Sequence, residues 1–368
     1  MKYYIIAGEA SGDLHGSNLI KAIRQQDEQA EIRCWGGDRM ESAGATLVKH
    51  YRDLAFMGFV EVIMHLKTIL SNIKFCKQDI LEFHPDVLVL IDYPGFNMRI
   101  AAWAKKQRIK IAYYISPQIW AWKESRVHQI MRDVDRMLVI LPFEKQFYAK
   151  WNFSVSYVGH PLVEVVQQQK LQQSNLKPFS NKPIIALLPG SRKQEIRVKL
   201  PEMLKMVSRF PNYQFVIAQA PSIPDEAYLS LIGSANVLLV KNQTYELLMQ
   251  AKAALVTSGT ATLETALFGV PQVVCYKGNP ISYWLAKKLI KVKYISLVNL
   301  ILDKPAISEL IQNNLNEKLL FRELSALLND AERQIVLQKD YDALWHLLGD
   351  SPASATAAQE MINLAKKG

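Results

Sequence analysis

Long apolar runs are missing from this chain of 368 residues. It contains no stretch of about 18 uncharged apolar residues, so we expect no transmembrane helix. The first apolar run, Tyr3–Ala7, is too short for the core of a signal peptide and soon meets Glu9 and Asp13. We therefore expect a cytoplasmic protein, and any association with a membrane must be peripheral.

Cysteine is scarce, and the three cysteines at Cys34, Cys76 and Cys275 are far apart in the sequence. This spacing forms neither a metal-binding pair nor a redox pair, and it fits a reducing compartment. The histidines are scattered, with no pair at the spacing of metal ligands. We therefore expect neither a bound metal nor a cofactor.

Acidic residues are in the minority, with 34 Asp and Glu against 44 Lys and Arg and a net charge of +10. A basic balance of this size indicates an anionic partner: nucleic acid, a phosphorylated small molecule or an anionic membrane surface. The basic residues are not interleaved with aromatic residues along one stripe, and no nucleic-acid-binding motif occurs. We therefore expect no nucleic acid partner.

What the chain does contain is two series of short apolar runs separated by helical patterns, which predict two α/β domains with doubly wound parallel sheets. Its length and its 49% apolar residues suffice for two hydrophobic cores. A polar stretch from Gln167 to Lys182 divides the two series and is interpreted as an interdomain linker. The predicted strands are Tyr3–Ala7, Ile32–Trp35, Val87–Ile91, Ile109–Tyr114, Met137–Leu141 and Val155–Val158, then Ile184–Leu188, Gln214–Ala218, Asn236–Val240, Ala253–Val256 and Gln272–Tyr276.

Loops that follow predicted strands are the expected ligand-binding positions, because doubly wound sheets bind ligands at the carboxyl ends of their strands and two facing domains leave a cleft. After the first strand comes the small-residue loop Ala7–Asp13, which includes Ser11 and Gly12. Such a loop can bring its backbone and the amides of the next helix close to a ligand. The alternative is a tight turn in which Ser11 or Asp13 caps the helix.

Asp92 follows the apolar run Val87–Ile91 and begins the segment Asp-Tyr-Pro-Gly. A carboxylate at the carboxyl end of a strand can accept a proton from a sugar hydroxyl. The alternative is a residue that caps a turn, since Asp-x-Pro-Gly is typical of turns.

In the second domain, Gly190, Ser191 and Arg192 follow the strand Ile184–Leu188. The amides of Gly190 and Ser191 can face a phosphate, and the guanidinium of Arg192 adds a charged fork. The alternative for Arg192 is a solvated surface side chain.

A second loop of this domain joins a strand to a helix through Ser258, Gly259 and Thr260, with Glu264 about one helical turn further on. The small residues suit a helix amino terminus that faces a pyrophosphate, and Glu264 can accept hydrogen bonds from both hydroxyls of a ribose. The alternative is a simple helix cap with an acidic residue in the first turns.

Some of these loops belong to a longer set of motifs: Ala7–Asp13, Met57–Val62, Ser116–Trp122, Leu141–Lys145, Gly159–Pro161, Leu187–Arg192, Ser258–Glu264 and Ser296–Leu300. In their order and spacing, over about residues 2–300, these segments resemble lipid-A-disaccharide synthases, which are similar to other GT-B glycosyltransferases. The resemblance implies two Rossmann-like domains facing a central cleft. Residues 1–165, joined by a carboxyl-terminal helix at about 350–368, would form the acceptor and membrane-side domain, and residues 166–349 the UDP-sugar domain.

The resemblance also implies the reaction. An inverting enzyme would move 2,3-diacylglucosamine from UDP-2,3-diacylglucosamine to the 6-hydroxyl of 2,3-diacylglucosamine 1-phosphate, and no metal would be required. In the family pattern Asp92 and Glu9 would be catalytic, and Arg192 and Asn299 would contact the donor. This chain has Tyr93-Pro94-Gly95 where the family often has Ala-Pro-Asp, so Asp92 becomes the clearer candidate for the base.

The segment Asp133-Val134-Asp135 resembles the D-x-D motif that holds a metal in one class of sugar transferases. It precedes the predicted strand Met137–Leu141, which places it at the amino edge of the sheet. We interpret these residues as a solvated turn.

Two alternatives remain open at this point. One is another GT-B enzyme acting on UDP-sugars, such as a muramyl-pathway transferase or a UDP-sugar epimerase. The other is a non-catalytic module that binds nucleotides or nucleic acid. The oligomeric state is equally open, and a homodimer is one hypothesis.

Acylated substrates would require a docking surface on an anionic membrane, and two segments are candidates. The stretch Leu54–Met64 and the helical stripe that continues from it are rich in apolar residues; a core-facing helix is the alternative. The stretch Lys277–Leu302 mixes lysines with aromatic and aliphatic residues and contains no acid; a solvated face or lysines that bind the UDP phosphates are the alternatives. The predicted contact residues are Phe59, Val62, Ile63, Leu66, Trp284, Lys287, Lys288 and Lys291.

Overall fold

A computed structural model describes residues 1–53, 66–171, 176–221, 223–279, 283, 292–349 and 352–366. The chain divides into two compact units. The first consists of Met1–Pro161 with Asp350–Gly368, and the second of Leu162–Gly349. Within the described ranges, no helix is both long enough and apolar enough to span a bilayer.

The first unit is built on a parallel sheet with the strand order β3-β2-β1-β4-β5-β6-β7. Its order reverses between β1 and β4, which pair with Ala7 opposite Ile91. A crevice for ligands is expected at the carboxyl ends of these two strands. The strands are β1 (Lys2–Ala7), β2 (Glu31–Gly36), β3 (Thr46–His50), β4 (Val87–Ile91), β5 (Ile111–Tyr114), β6 (Arg136–Val139) and β7 (Ser156–Tyr157).

Helices cover this sheet, which explains why the central strand β4 is an unbroken run of buried aliphatic residues. The helix α4 begins at Pro94, whose fixed φ angle suits the first turn of a helix. The described helices that precede the second unit are α1 (Ala10–Gln26), α2 (Asp38–Ser42), α3 (Leu66–Phe83), α4 (Pro94–Lys106), α5 (Ile119–Trp122), α6 (Val127–Asp133) and α7 (Pro142–Ala149), with short 3₁₀ turns at Tyr51–Asp53 and Glu124–Arg126.

The second unit repeats the same plan with the parallel order β10-β9-β8-β11-β12-β13, and its order reverses between β8 and β11. Its strands are β8 (Ile184–Leu188), β9 (Gln214–Gln219), β10 (Val237–Lys241), β11 (Ala251–Thr257), β12 (Gln272–Tyr276) and β13 (Ser308–Ile311). Its helices are α8 (Pro161–Leu171), α9 (Lys193–Leu204), α10 (Glu226–Ile232), α11 (Thr244–Gln250), α12 (Thr260–Leu267), α13 (Leu297–Leu302), α14 (Glu317–Asn329) and α15 (Ala331–Leu348), with a 3₁₀ turn at Gln312–Asn314.

The chain then returns to the first unit as α16 (Ala353–Lys366), which packs against α1. Gln26 Nε2 donates to the carbonyl of Ala355 at 3.0 Å, and Lys110 Nζ donates to the carbonyl of Ala365 at 2.8 Å. The carboxylate of Glu360 lies 3.3 Å from Nε of Arg136 on β6. The helix α16 is therefore a structural part of the first unit.

The predicted α/β fold with doubly wound parallel sheets is confirmed, and several details differ. Sequence analysis missed the edge strands β3 and β13, whose polar residues and partial exposure break the apolar pattern of a central strand. The first part of the predicted linker is helical, because Gln167–Gln169 lie within α8. Asp133 is not solvated. It is 2% exposed at the end of α6 and pairs with Arg132 at 2.7 Å.

Candidate active site

The loops after β1 and β4 meet at the switch point of the first sheet. Gly8 has no room for a side chain, because a Cβ there would collide with the ring of Tyr93. Glu9 follows as the residue that caps α1 and is partly buried, while Ser11 is exposed in the first helical turn. Gly12 lets α1 approach β1, since a Cβ there would lie only 3.0 Å from that of Ala7.

Asp92 occupies a strained turn at the end of β4. Asp92 and Tyr93 have φ angles of 43° and 48°, a left-handed conformation that is unfavourable for residues other than glycine. Two side chains hold the Asp92 carbonyl in place: Tyr113 Oη donates to it at 2.6 Å and Asn97 Nδ2 at 2.8 Å. The Asp92 amide donates to the carbonyl of Tyr114 at 3.2 Å. The turn is thus fixed through its backbone, and the carboxylate is left for other contacts.

The electrostatic environment adjusts the acidity of this carboxylate. Burial, with a smaller contribution in the same direction from the negative charge of Glu9, raises the pKa of Asp92 to about 6, and a hydrogen bond with the Tyr93 backbone opposes both effects. A group with a pKa close to neutral pH suits general-base catalysis, because it is ionised yet basic enough to take a proton.

Asp13, predicted as part of the first ligand-binding loop, is buried and its carboxylate is already bound by the chain. Oδ1 accepts hydrogen bonds from the amides of Gly37 at 2.8 Å and Met40 at 3.1 Å, and Oδ2 accepts one from the amide of Arg39 at 3.2 Å. These are the free amides at the start of α2. Asp13 therefore ties α1 to α2, a structural role that sequence analysis did not predict.

In the second unit, the loop after β8 turns sharply at Gly190, whose φ angle is 123°. A side chain there would meet the carboxylate of Glu195, which also accepts a hydrogen bond from the Ser191 amide at 3.3 Å. Arg192 is exposed in the extended conformation that precedes α9. Its guanidinium is therefore accessible to an anion at the carboxyl end of β8.

The loop after β11 lies at the neighbouring strand end. Ser258 Oγ donates to the carbonyl of Ile295 at 2.8 Å, and Gly259, with a φ angle of 143°, begins α12 at Thr260. Glu264 lies in the second turn, where Tyr245 Oη donates to its Oε1 at 3.0 Å. Burial raises the pKa of Glu264, and this hydrogen bond opposes the shift.

Asn299, predicted as a donor contact, is 1% exposed, and its amide is hydrogen-bonded within the chain. Nδ2 donates at 2.9 Å to the carbonyl of Ile307 and to Glu309 Oε1, and Oδ1 accepts from the amide of Ile307 at 2.9 Å. Glu309 also accepts from the amide and hydroxyl of Ser296. These bonds hold residues 295–309 together, and a contact of Asn299 with the donor stays a prediction.

The predicted membrane contacts fall almost entirely outside the described residues. Leu66 is the first residue of α3, and nothing is described of its side chain. In the part of the chain that is described, no group of three or more His, Cys, Asp and Glu side chains is placed to hold a metal. The predicted residues that lie outside are Phe59, Val62, Ile63, Trp284, Lys287, Lys288 and Lys291.

Comparison with known proteins identifies this arrangement. A family model described as lipid-A-disaccharide synthetase matches residues 3–361. The chain belongs to the lipid-A-disaccharide synthase family. The lipid-A-disaccharide synthase of Syntrophus aciditrophicus, for example, is 39% identical over 373 residues, which cover 99% of this chain and 97% of that relative. The family resemblance predicted from the motifs is confirmed, and the protein is a glycosyltransferase.

Solved structures outside the lipid-A-disaccharide synthase family share the fold. A UDP-GlcNAc 2-epimerase from Neisseria meningitidis bound to UDP-GlcNAc has a TM-score of 0.68 at 12% identity, over 99% of this chain and 100% of that one. The glycotransferase of kitacinnamycin has a TM-score of 0.67 at 15% identity, over 99% and 98%. At these identities the likeness concerns the fold alone, and it confirms the predicted GT-B class.

Sequence analysis of this family member overlooked Lys199, which is 3% exposed on the inner face of α9. Its Nζ donates to Thr257 Oγ1 at the end of β11 and lies 3.9 Å from Glu195 Oε1. Burial lowers the pKa of Lys199, and the nearby Glu195 opposes this shift. Because Thr257 precedes Ser258, Lys199 joins the two loops of the second unit. The signal was a lysine at the spacing of the buried residues of α9.

Proposed function

We propose that this glycosyltransferase moves 2,3-diacylglucosamine from UDP-2,3-diacylglucosamine to the 6-hydroxyl of 2,3-diacylglucosamine 1-phosphate. The products would be the lipid A disaccharide 1-phosphate and UDP. The observation that carries the proposal is Asp92, a carboxylate with its pKa raised to about 6 on a braced, strained turn at the switch point of the first sheet.

Asp92 would act as the general base. It takes the proton of the acceptor 6-hydroxyl while that oxygen attacks the anomeric carbon of the donor from the face opposite to UDP. The bond from the anomeric carbon to the UDP oxygen breaks, its electron pair stays on the β-phosphate, and the configuration inverts. Glu9 supports this step through its charge, which raises the pKa of Asp92 and keeps the carboxylate basic.

The second unit would bind the donor. Negative charge builds on the β-phosphate as UDP leaves, and the Arg192 guanidinium with the amides around Ser191 and Gly259 can stabilise it. Glu264 has one oxygen bonded to Tyr245, and its other oxygen can accept a hydrogen bond from the ribose. We therefore assign residues 1–165 with the tail helix to the acceptor side, and residues 166–349 to the donor side.

Both proposed substrates carry acyl chains, so the enzyme must collect them at a bilayer. We propose a peripheral location on the inner face of the inner membrane, supported by the apolar stretch Leu54–Met64 and the lysine-rich stretch Lys277–Leu302 in the sequence. A homodimer stays a hypothesis that light scattering of the purified protein tests directly.

The test of the proposed reaction is mass spectrometry of the products from UDP-2,3-diacylglucosamine and 2,3-diacylglucosamine 1-phosphate. We expect a disaccharide 1-phosphate and one UDP per disaccharide. The fold is shared with UDP-GlcNAc 2-epimerases, so UDP-GlcNAc is incubated in parallel and assayed for its 2-epimer. Epimer formation without disaccharide would overturn the proposal.

A further inference from the structure

We propose that Trp122, Lys123 and Arg126 form the subsite that receives the phosphate group of the acceptor, with Trp122 lying against the apolar part of the same molecule. We call these three residues the cation–aromatic cluster. This inference rests on the proposed function, because it takes the acceptor to be a sugar 1-phosphate whose other reactive group goes to Asp92.

The cluster presents two cations on one exposed aromatic ring. The Trp122 side chain is 51% exposed at the end of α5. Exposure of a large apolar side chain to water is unfavourable, because its burial would stabilise the protein. The Arg126 guanidinium carbon lies 5.1 Å from the centre of the Trp122 ring, and Lys123 Nζ lies 5.8 Å from it. Both distances are within the range of about 6 Å for cation–π contacts. The exposed ring thus orients two positive charges.

A buried network anchors the cluster. Trp120 lies two residues before Trp122 and is buried, and its Nε1 donates to Glu144 Oε1 at 3.2 Å. Glu144 Oε2 accepts from the amides of Ile140 at 3.2 Å and Leu141 at 2.9 Å. The short helix α5 therefore points one tryptophan into the core and the other outward, and it is bonded to Glu144 on α7, which in turn holds the residues between β6 and α7.

The cluster also lies on the Asp92 side of the sheet. The cluster follows β5, which pairs in parallel with β4, so the carboxyl ends of both strands lie at the same edge of the sheet. Tyr113 on β5 donates its hydroxyl to the Asp92 carbonyl. Burial raises the pKa of this hydroxyl, the charges of Asp92 and Tyr148 raise it further, and the charge of Arg126 lowers it. Arg126 and Asp92 thus act on the same hydroxyl.

The acceptor has matching chemistry. The carbon that carries its 1-phosphate and the carbon that carries its 6-hydroxymethyl group both adjoin the ring oxygen, so a molecule with the hydroxyl at Asp92 needs positive charge a short distance away. The planar guanidinium of Arg126 suits two phosphate oxygens, and Lys123 adds a point charge. The indole of Trp122 offers an apolar face for the ring or an acyl chain. The intervening Glu124 is partly buried, whereas Lys123 is exposed.

The experiment compares two acceptors, 2,3-diacylglucosamine 1-phosphate and the same sugar without its phosphate, in detergent micelles without phospholipid. We expect Arg126→Gln to lower the ratio of their kcat/KM values by about tenfold or more, the loss typical of one charge-assisted hydrogen bond. Arg126→Lys should recover part of the ratio. Lys106→Gln removes one exposed charge at the carboxyl end of α4, on the opposite edge of the sheet, and should leave the ratio unchanged.

Three results would overturn the inference. If Arg126→Gln unfolds at the same temperature as the wild type and leaves the ratio of kcat/KM values unchanged, Arg126 does not contact the phosphate. If Arg126→Gln loses binding to anionic vesicles but keeps the wild-type ratio of kcat/KM values in micelles, the cluster belongs to the membrane surface. If the wild-type protein makes no disaccharide at all, the proposed function fails first, and that result is visible before any variant is compared.

Discussion

At the scale of single residues, Asp92 and Glu9 are the acidic pair of the first unit to which we assign the chemistry. Asp92 has a left-handed backbone conformation, and burial together with the charge of Glu9 disfavours its ionised carboxylate. Tyr113 and Asn97 hold the residue in place through hydrogen bonds to its carbonyl. A carboxylate held in such a turn is the basis of the catalytic task that we propose for Asp92.

Asp92→Asn should keep the shape of this turn and remove the proton acceptor. We expect the turnover number to fall by about 10²–10⁴, the usual effect of losing a general base, while UDP affinity stays the same. Asp86→Asn, at the exposed amino end of the same strand, is the matched control and should stay within twofold of the wild type. Steady-state kinetics with near-normal turnover in Asp92→Asn would show that another group takes the proton.

Glu9→Gln tests the charge that lies next to the base. The base acts only when it is ionised, so kcat/KM of the wild type should fall as the pH drops through about 6, the raised pKa of Asp92. Removing the negative charge of Glu9 lowers the pKa of Asp92, so the acidic limb of the pH profile should move to lower pH. A limb that stays in place, measured over pH 4.5–8 with a fixed donor concentration, would contradict the coupling of the two carboxylates.

At the scale of elements, the strand ends of the second unit are the parts to test. Arg192 directly precedes α9 and Glu264 lies on α12, and Lys199 joins the loops that lead into these two helices. The proposed tasks differ, since one side chain faces phosphate and the other ribose. Changes at the two sites should therefore have different signatures.

Arg192→Ala should weaken UDP binding and lower turnover, because its charge is needed most as UDP departs. Glu264→Gln should weaken UDP binding more than binding of pyrophosphate, which has no ribose. Isothermal titration calorimetry with UDP and with pyrophosphate separates the two effects. Lys193→Ala, an exposed neighbour of Arg192, serves as the control. Unchanged UDP affinity in both variants would remove these residues from the donor site.

The sequence predicted the buried central strands and the edge strands β7 and β10, and it missed the edge strands β3 and β13. Continuous apolar runs marked β4, β8 and β12 to the residue, because central strands of parallel sheets are buried on both faces. The edge strand β3 carries Lys49 and His50 and lacks that pattern. Contacts between distant residues, such as Asp13 with Gly37 or Tyr245 with Glu264, have no local signal and appear only in the fold.

At the scale of the whole molecule, the proposed acylated substrates require contact with a bilayer, and no helix in the described part of the chain could span one. A lysine near an anionic bilayer contributes about 1 kcal/mol, so a few lysines can hold a protein there reversibly. Such binding weakens as salt screens the charges. The lysine-rich stretch Lys277–Leu302 meets this requirement in its composition.

Flotation with anionic vesicles at low and high salt tests the proposed docking. The wild-type protein should float at low salt and be released at high salt, and charge reversal at Lys287, Lys288 and Lys291 should release it at both. Val62→Ser with Leu66→Ser should lower activity on long-chain substrates and spare UDP binding. Wild-type protein that ignores anionic vesicles at low salt would refute the peripheral location, whatever becomes of the transferase reaction.

The return of α16 to the first unit also affects how the molecule is made. On the ribosome, residues 1–161 emerge first, yet the helix that covers α1 is synthesised only after the whole second unit. The second unit is one continuous segment and can fold as it emerges, while the first unit must wait with an uncovered helix face. Its completion depends on contacts between residues as far apart as Gln26 and Ala355, and such long-range contacts form slowly. Chains released before α16 is made should carry a folded second unit and an incomplete, aggregation-prone first one.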